Sequence, residues 1–392
     1  MEYPQVILKP KEEGRLQAGH LWAFSNELAK VPEGLLPGSL ADLMHSRAGF
    51  LGRGFYHPHS LIAFRILTSQ KDEEINAAFF EKRLKEALSL RERLYPQTSA
   101  YRWVFGESDR LPGLIIDRYG EYLSVQAIAA GMERFKGILL ESLERVVHPK
   151  GIVWRSDAPL RELEGLKDEA PTVVGEIPAR VQITLENGSF WVDLQTGQKT
   201  GFYFDQRDNR QAFAPFCAGK KVLDAFCYSG GFGIAAARAG AREVVFIDSS
   251  QPALDLAEAN AQLNGVADRC TFVRGDALAL LAHETPGMPF DVISIDPPAY
   301  ARSKKNLPVA LKAYEKLNAL AIGALPKGGI LASSSCSHHV TRETFLQMLR
   351  YSSIKAHRPL KLLELRSQAK DHPILLAMSE TEYLKFAILQ VI

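Results

Sequence analysis

The chain has 392 residues, 46% of them hydrophobic and 23% charged, with a formal net charge of +2. That length exceeds one ordinary core and points to two or three domains, no apolar run approaches the roughly 20 residues needed to cross a bilayer, and the opening MEYPQVILKPKEEG lacks the apolar core and cleavage site of a secretory leader. The expectation is a cytoplasmic protein whose cysteines, at 217, 227, 270 and 336, are free thiols without metal-ligand spacing, so no metal is expected, and whose nucleic-acid surface, if it has one, is local rather than announced by bulk charge.

Residues 1–72 read as short strands and turns. Positions 5–8 and 62–67 are strand-like, and Gly34, Pro37, Gly38, Gly49, Gly52 and Gly54 punctuate the middle as in a small barrel. A helix-like stretch over 14–24 carries Arg15, His20 and Trp22, cations beside an aromatic, which suits RNA. The charge of this segment is balanced, however, and a packed core Trp22 explains the same residues.

Residues 73–188 read as an α+β unit. A helix is predicted over 77–95 from Phe80, Leu84, Ala87, Leu88 and Arg91 at helical spacing. Strands follow at 101–105 and 114–127, the latter broken by the turn signal Tyr119-Gly120, then a helix over 133–147 and a strand over 151–155. Glu107, Asp109, Arg110, Asp117 and Arg118 read as solvated or paired surface charges. Positions 161–178, polar and acidic with Pro171 and Pro178, read as a loop.

Residues 189–392 carry the chemistry. The segment 195–210, QTGQKTGFYFDQRDNR, is dense in polar groups and aromatics and is expected to fold over a cofactor pocket. Phe202, Tyr203 and Phe204 would cover an adenosine, with Asp205, Arg207 and Asn209 at the methionine end or on the substrate. The chain then reads VLDAFCYSGGFG, a strand, a small-residue turn and an Ala-rich helix start. Gly230, Gly231 and Gly233 have the wrong spacing for a dinucleotide fingerprint. Asp224 at the strand end favours a ligand with a cationic amine and a hydroxylated ribose over a pyrophosphate. Further short apolar runs lead into Asp248, placed to accept ribose hydroxyls, Asp276, placed to accept from an adenine amine, and Asp296. S-adenosylmethionine (SAM) is such a ligand. The fold expected is α/β, a doubly wound, mostly parallel Rossmann-like sheet, closed by a hairpin from strands at 360–366 and 384–391.

Cys336 follows a strand predicted over 330–335 and would face the crevice beside Asp296. Carbon five of a pyrimidine is too weak a nucleophile to take a methyl group. A thiolate added at carbon six converts the ring into an enamine, while Asp296 holds N3 and the amine. His338, His339, Lys304 and Lys199 are candidates to activate the thiol. Cys227 and Cys270 read as packing.

The chain resembles the bacterial ribosomal large-subunit methyltransferase I family, SAM-dependent 5-methylcytosine enzymes of rRNA. The resemblance rests on Gly19-His20-Leu21-Trp22-Ala23-Phe24, on Asp193-Leu194, on Gln198-Lys199-Thr200-Gly201-Phe202-Tyr203 with Asp205-Gln206-Arg207 and Asn209-Arg210, on Asp224 to Phe232, on Asp296-Pro297-Pro298 and on Ser334-Ser335-Cys336-Ser337. It implies an N-terminal PUA domain, a central α+β domain and a C-terminal Rossmann methyltransferase, with Cys336 as nucleophile. It adds Phe226, Tyr228, Ser229, Gly230, Ser249, Ala277 and Pro297 to the expected cofactor set, and Arg15, His20, Trp22, Lys199 and Lys304 to RNA. A homodimer is compatible with it. One departure stands out. Many related RNA enzymes carry a second cysteine beside the proline of the Asp-Pro motif, and this chain reads Pro297-Pro298-Ala299-Tyr300, which leaves the base for the ring proton unassigned. That tetrapeptide also resembles the motif of exocyclic-amine methyltransferases, a rival chemistry without a cysteine. A non-catalytic RNA-binding assembly protein is the third reading, which the intact acidic set opposes.

Overall fold

The structure is a computed structural model and describes residues 2–157, 159–197, 200–282, 289–301 and 303–392, the side chains of 159 and 160 excepted. The chain divides into two compact units. The first takes the chain up to Val181, then Val192–Phe202 and Asp371–Thr381. The second takes Gln182–Trp191, Tyr203–Lys370 and Glu382–Ile392.

The first unit holds two sheets. Strands β1 (Gln5–Leu8), β2 (Trp22–Ala23), β3 (Leu28–Lys30), β4 (Ser39–His45), β5 (Gly49–Tyr56) and β6 (Phe64–Thr68) lie in the order β2-β6-β5-β4-β1-β3. The helix predicted over 14–24 is only Glu13–Gln17. Gly19, at φ +100°, turns the chain out of it and lets Trp22 enter β2. The second sheet runs β11-β10-β9-β8-β7, from β7 (Ala100–Phe105), β8 (Leu114–Tyr119), β9 (Tyr122–Ala127), β10 (Gly151–Ser156) and β11 (Glu169–Gly175). Strand β11 lies where a loop was expected. It is an edge strand pairing antiparallel with β10, a place that tolerates charges and Pro171. The helix expected over 133–147 is two, Ala130–Arg134 and Lys136–Val147, which meet at Phe135. Phe55 of β5 belongs to the same core as Trp103 and Trp154 of this second sheet, its ring 5.8 Å from Phe135.

The charges read as surface groups in this unit include buried ones. Asp117 is fully buried and paired with Arg102, and Asp109 pairs with Arg91, itself fully buried on the predicted helix face. Periodicity marks an Arg at the edge of a helix face without saying whether a carboxylate waits for it.

The second unit contains most of a hairpin, β12 (Val181–Leu185) and β13 (Gly188–Val192), and a seven-stranded sheet. Its strands are β14 (Lys221–Ala225), β15 (Glu243–Asp248), β16 (Cys270–Arg274), β17 (Val292–Ile295), β18 (Ile330–Ser335), β19 (Leu360–Arg366) and β20 (Lys385–Val391), in the order β16-β15-β14-β17-β18-β20-β19. The first five are parallel, and β20 runs antiparallel between β18 and β19, as the expected closing hairpin does. The central strands read VLDA, VVFI and VISI, buried along nearly their whole length as in a sheet covered on both faces, and their two polar residues, Asp224 and Ser294, are buried as well. Strand order reverses between β14 and β17, which opens a crevice at their carboxyl ends. This is the α/β sheet anticipated from the sequence.

Candidate active site

The turn after β14 is held in a conformation its residues would not choose. Phe226 (φ 62°), Tyr228 (φ 46°) and Gly230 (φ 84°) are all left-handed, a cost of about 1 kcal/mol or more for each non-glycine residue. Neighbours hold the turn from several sides. Asp248 Oδ2 accepts the Tyr228 N–H at 3.0 Å, and its Oδ1 accepts the Ser250 N–H at 2.9 Å. Asn260 Nδ2 donates to the Ser229 carbonyl at 3.1 Å, and the Cys227 N–H donates to the Ile247 carbonyl at 3.1 Å. Asp224 Oδ2 accepts the Gly233 N–H and its Oδ1 the Ser294 hydroxyl, both at 2.7 Å. Asp224 is fully enclosed. Burial pushes its carboxyl up to about 7, against the downward pull of Ser294 and Gly233.

A second cluster lies at the end of β17 and β18. Gln206 Nε2 donates to Asp296 Oδ1 at 3.0 Å and to Ser334 Oγ at 3.1 Å, and its Oε1 accepts Asn209 Nδ2 at 2.7 Å. Asp205 Oδ2 accepts the Tyr383 hydroxyl at 2.7 Å. Burial first, and the Asp205 charge second, push Asp296 up to about 6. Arg210 is buried close enough to Asp205, Asp296 and Asp224 to feel all three, and burial still lowers it to about 10. Tyr203 and Tyr228 meet edge-on with centroids 5.3 Å apart, and burial raises the Tyr203 phenol strongly. Half-buried Cys336 comes directly after β18. Beside it Ser337 Oγ accepts the Ala301 N–H at 3.1 Å and meets the Tyr314 hydroxyl at 3.0 Å, which ties the Asp-Pro-Pro loop to the cysteine's turn. Lys385 opens β20 opposite Ser335.

Two segments of the chain match known family models. Residues 6–69 match a PUA-like domain, and residues 167–346 match an S-adenosylmethionine-dependent methyltransferase. A protein of Aeromonas hydrophila named ribosomal RNA large subunit methyltransferase I is 40% identical over 97% of this chain and 97% of its own. A Klebsiella pneumoniae protein of the same name is 38% identical over 98% and 97%. The chain belongs to the ribosomal RNA large subunit methyltransferase I family. Among solved structures, one described as "A putative sam-dependent methyltransferase from Streptococcus mutans" superposes with a TM-score of 0.84 at 21% identity, over 99% of this chain and 100% of its own. At that identity the likeness concerns the fold.

The cofactor of this chain is SAM, and the donor set at the strand ends fits it. Carboxylates of Asp248 and Asp296 flank β14, and the Tyr203 and Tyr228 rings stand at the turn between them. The other expected cofactor residues fall in different places. Arg207 is buried and paired with both oxygens of Glu186 at 2.8 Å. Asn209 is tied to Gln206, Ser367 and Arg366. Asp276 is exposed and caps the next helix, accepting the Ala279 N–H at 2.7 Å, while Ala277 is in the core and Ser249 is exposed. Pro297 is buried beside Asp296. Phe202 lies in the first unit, buried, its N–H on the Tyr119 hydroxyl at 3.1 Å.

Of the expected RNA residues, Lys304 is exposed in a single 3-10 turn, and Lys199, with Gln198, lies outside the described residues. Arg15 holds Glu27 through both carboxylate oxygens at 2.7 and 2.8 Å and donates to the Trp22 carbonyl. His20 is buried, and burial together with Arg15 keeps its imidazole below the usual range. Trp22 is half-buried, packs beside that unit's core and donates from Nε1 to Glu107 at 2.9 Å.

Sequence reasoning missed Gln206, Arg210 and Lys385 as site residues. The first two stand inside the polar run singled out above, and Arg210 only needed to be read as the cation among three acids. Lys385 gave no signal, because antiparallel pairing of a distant strand is what places it there.

Proposed function

We propose that the chain methylates carbon five of a cytosine in large-subunit rRNA through a covalent bond from Cys336 to carbon six. The observation that carries this reading is the linkage Asp296–Gln206–Ser334, which holds Asp296, directly after β17, beside the end of β18 that leads into Cys336. Bound SAM supplies an electrophilic methyl group. The thiolate of Cys336 bonds to carbon six and shifts the ring electron pair toward carbon five. Asp296, raised toward neutrality, can hold a proton on its carboxyl and donate to N3, so that charge developing on the ring is met by a preorganised donor. Carbon five then forms its bond to the methyl group, whose bond to the cofactor sulfur breaks with both electrons remaining on sulfur. A base takes the proton from carbon five, and the sulfur–carbon-six bond breaks to restore the ring and the thiolate. Asp248 would take the ribose hydroxyls. Burial keeps the thiols of Cys217 and Cys227 well above the ordinary range and pushes Cys270 up to about 12, which leaves them no role as nucleophile. Tyr300, the ring an amine methyltransferase would stack on its base, is already against Tyr314 with centroids 4.7 Å apart.

Residues 1–72 would bind the RNA, 73–188 form the central α+β domain and 189–392 carry the methyltransferase. Cys336→Ala should abolish methylation and leave SAM affinity near wild type. RNA carrying 5-fluorocytosine at the target should trap the wild-type enzyme and Cys270→Ala but not Cys336→Ala, since fluorine cannot leave as a proton. A fully active Cys336→Ala enzyme, with an N-methylated base in the digested product, would replace this reading by amine chemistry.

A further inference from the structure

Cys336 needs a counter-charge to be a thiolate near neutral pH, since a free thiol ionises near 8.5. The sequence offers His338, His339, Lys199 and Lys304, but the fold brings a different cation to the position. β20 runs antiparallel to β18 with Lys385 opposite Ser335, the residue before Cys336. The Lys385 side chain is 3% exposed. Its Nζ donates to the Ser337 carbonyl at 2.7 Å and to the Tyr383 carbonyl at 2.6 Å. The ammonium is thus fixed on the peptide that follows Cys336, with neutral oxygens as its named acceptors. Among the described residues its hydrogen bonds go to carbonyl oxygens, and burying an ammonium so held carries a desolvation cost. An anion beside it lowers that cost.

We propose that Lys385 is the positioning residue that holds Cys336 as a thiolate, pairing its ammonium with the sulfur while its two carbonyl bonds fix the cysteine's turn. The proposal rests on the reading of Cys336 as the nucleophile. Burial lowers Lys385 to about 8, and Cys336 and then Glu382 oppose that fall, so the cysteine's negative charge stabilises the lysine's positive one. Other ionisable groups around the pair are Tyr203 and Asp205 before the helix Arg207–Phe213, Asp296 after β17, Tyr314 of the helix Leu307–Gly323, His338 after β18, and Glu382 and Tyr383 before β20. The carboxylates and phenols among them oppose a thiolate. His338 is the rival cation, its ring 5.5 Å from that of Tyr383.

The test is the pH dependence of Cys336 alkylation by iodoacetamide, followed by peptide mass spectrometry on the full-length protein. It reads the thiol itself, whether or not Cys336 methylates RNA, and 5-fluorocytosine trapping reads the catalytic role separately. Wild type should show a midpoint below about 8.5. Lys385→Met should move it up by about one pH unit or more, slowing alkylation at pH 7 roughly tenfold, with SAM affinity unchanged, and Lys385→Arg should restore most of the shift. His338→Ala should leave the midpoint where it is. A wild-type midpoint at or above about 8.5 overturns the proposal even if Lys385→Met fails to fold. So does a folded Lys385→Met with the wild-type profile, or a His338→Ala variant whose midpoint rises.

Discussion

A Cβ added at Gly233 would lie 2.1 Å from the Phe246 ring, and one at Gly231 would lie 2.5 Å from Arg210 Nε. Two of the glycines that look like a ligand cradle are therefore required by protein atoms, a helix laid tightly on β15 and an arginine laid on the helix start. Gly233→Ala should cost about 1–3 kcal/mol in urea denaturation, the usual cost of overpacking. Phe246→Leu should recover part of that in the double variant, and strict additivity of the two changes would show that the clash is relieved elsewhere. Asp224 invites a pH experiment. Its folded value near 7 lies above the unfolded value near 4, so the folded chain holds the proton more tightly. The stability this contributes is complete below about pH 4 and is lost as the pH rises through about 7. Asp224→Asn should therefore flatten the fall in melting temperature of the cofactor-free protein between pH 5 and 8, leaving the smaller slope that Asp296 supplies with the same sign. An unchanged slope would assign the titration to another group.

The turn from Phe226 to Gly230 shows how an element can be legible in outline and hidden in cause. Small residues after an apolar run, followed by glycines, foretell a strand, a turn and a helix, and the acidic residues at successive strand ends foretell the crevice. What Asp224 and Asp248 do there is only half legible. The sequence reading assigns both to the ligand, yet each first holds backbone N–H groups of the protein, and Asp248 does so for two. A carboxylate that caps a strained turn and one that grips a ribose look alike in one dimension, because the turn's left-handed residues are visible only once it is folded. Gln206 and Lys385 were hidden for the same reason: their partners Asp296 and Ser337 lie just past strand ends, 90 and 48 positions away. Strand β11 was hidden because edge strands carry the charges and prolines that mark loops. Since Asp248 serves the turn, Asp248→Ala should weaken SAM binding by roughly 1.5–3 kcal/mol, the scale of hydrogen bonds to a charged group, and should speed amide exchange at Tyr228. Calorimetry with unchanged affinity would mean that the pocket is elsewhere.

Across the whole molecule the chain forms two compact units, and a net charge of +2 leaves any RNA contact to local basic groups. Among the described residues no helix is long and apolar enough to cross a membrane. The path of the chain was not legible at all. The first unit is completed by Asp371–Thr381, a segment that arrives after most of the second. Asp371 is fully buried there; its carbonyl accepts Arg91 Nη2 at 2.8 Å, its carboxylate accepts the Arg102 N–H at 3.0 Å, and Met378 is part of the core around β1 and β4. A chain ending at residue 370 should lose these partners and leave Arg91 and Arg102 with unmet groups, so limited proteolysis should cut within its first 181 residues faster than in the full chain. Equal resistance would show that the segment is dispensable. The same layout sets a timetable during synthesis. At about 5–20 residues per second, the stretch from 181 to 381 takes on the order of 10–40 seconds to emerge, and for that interval the amino-terminal half waits on the ribosome before Asp371 can reach Arg91 and the Arg102 N–H and before Met378 can fill its place in the core around β1 and β4, a window in which a chaperone has something to hold.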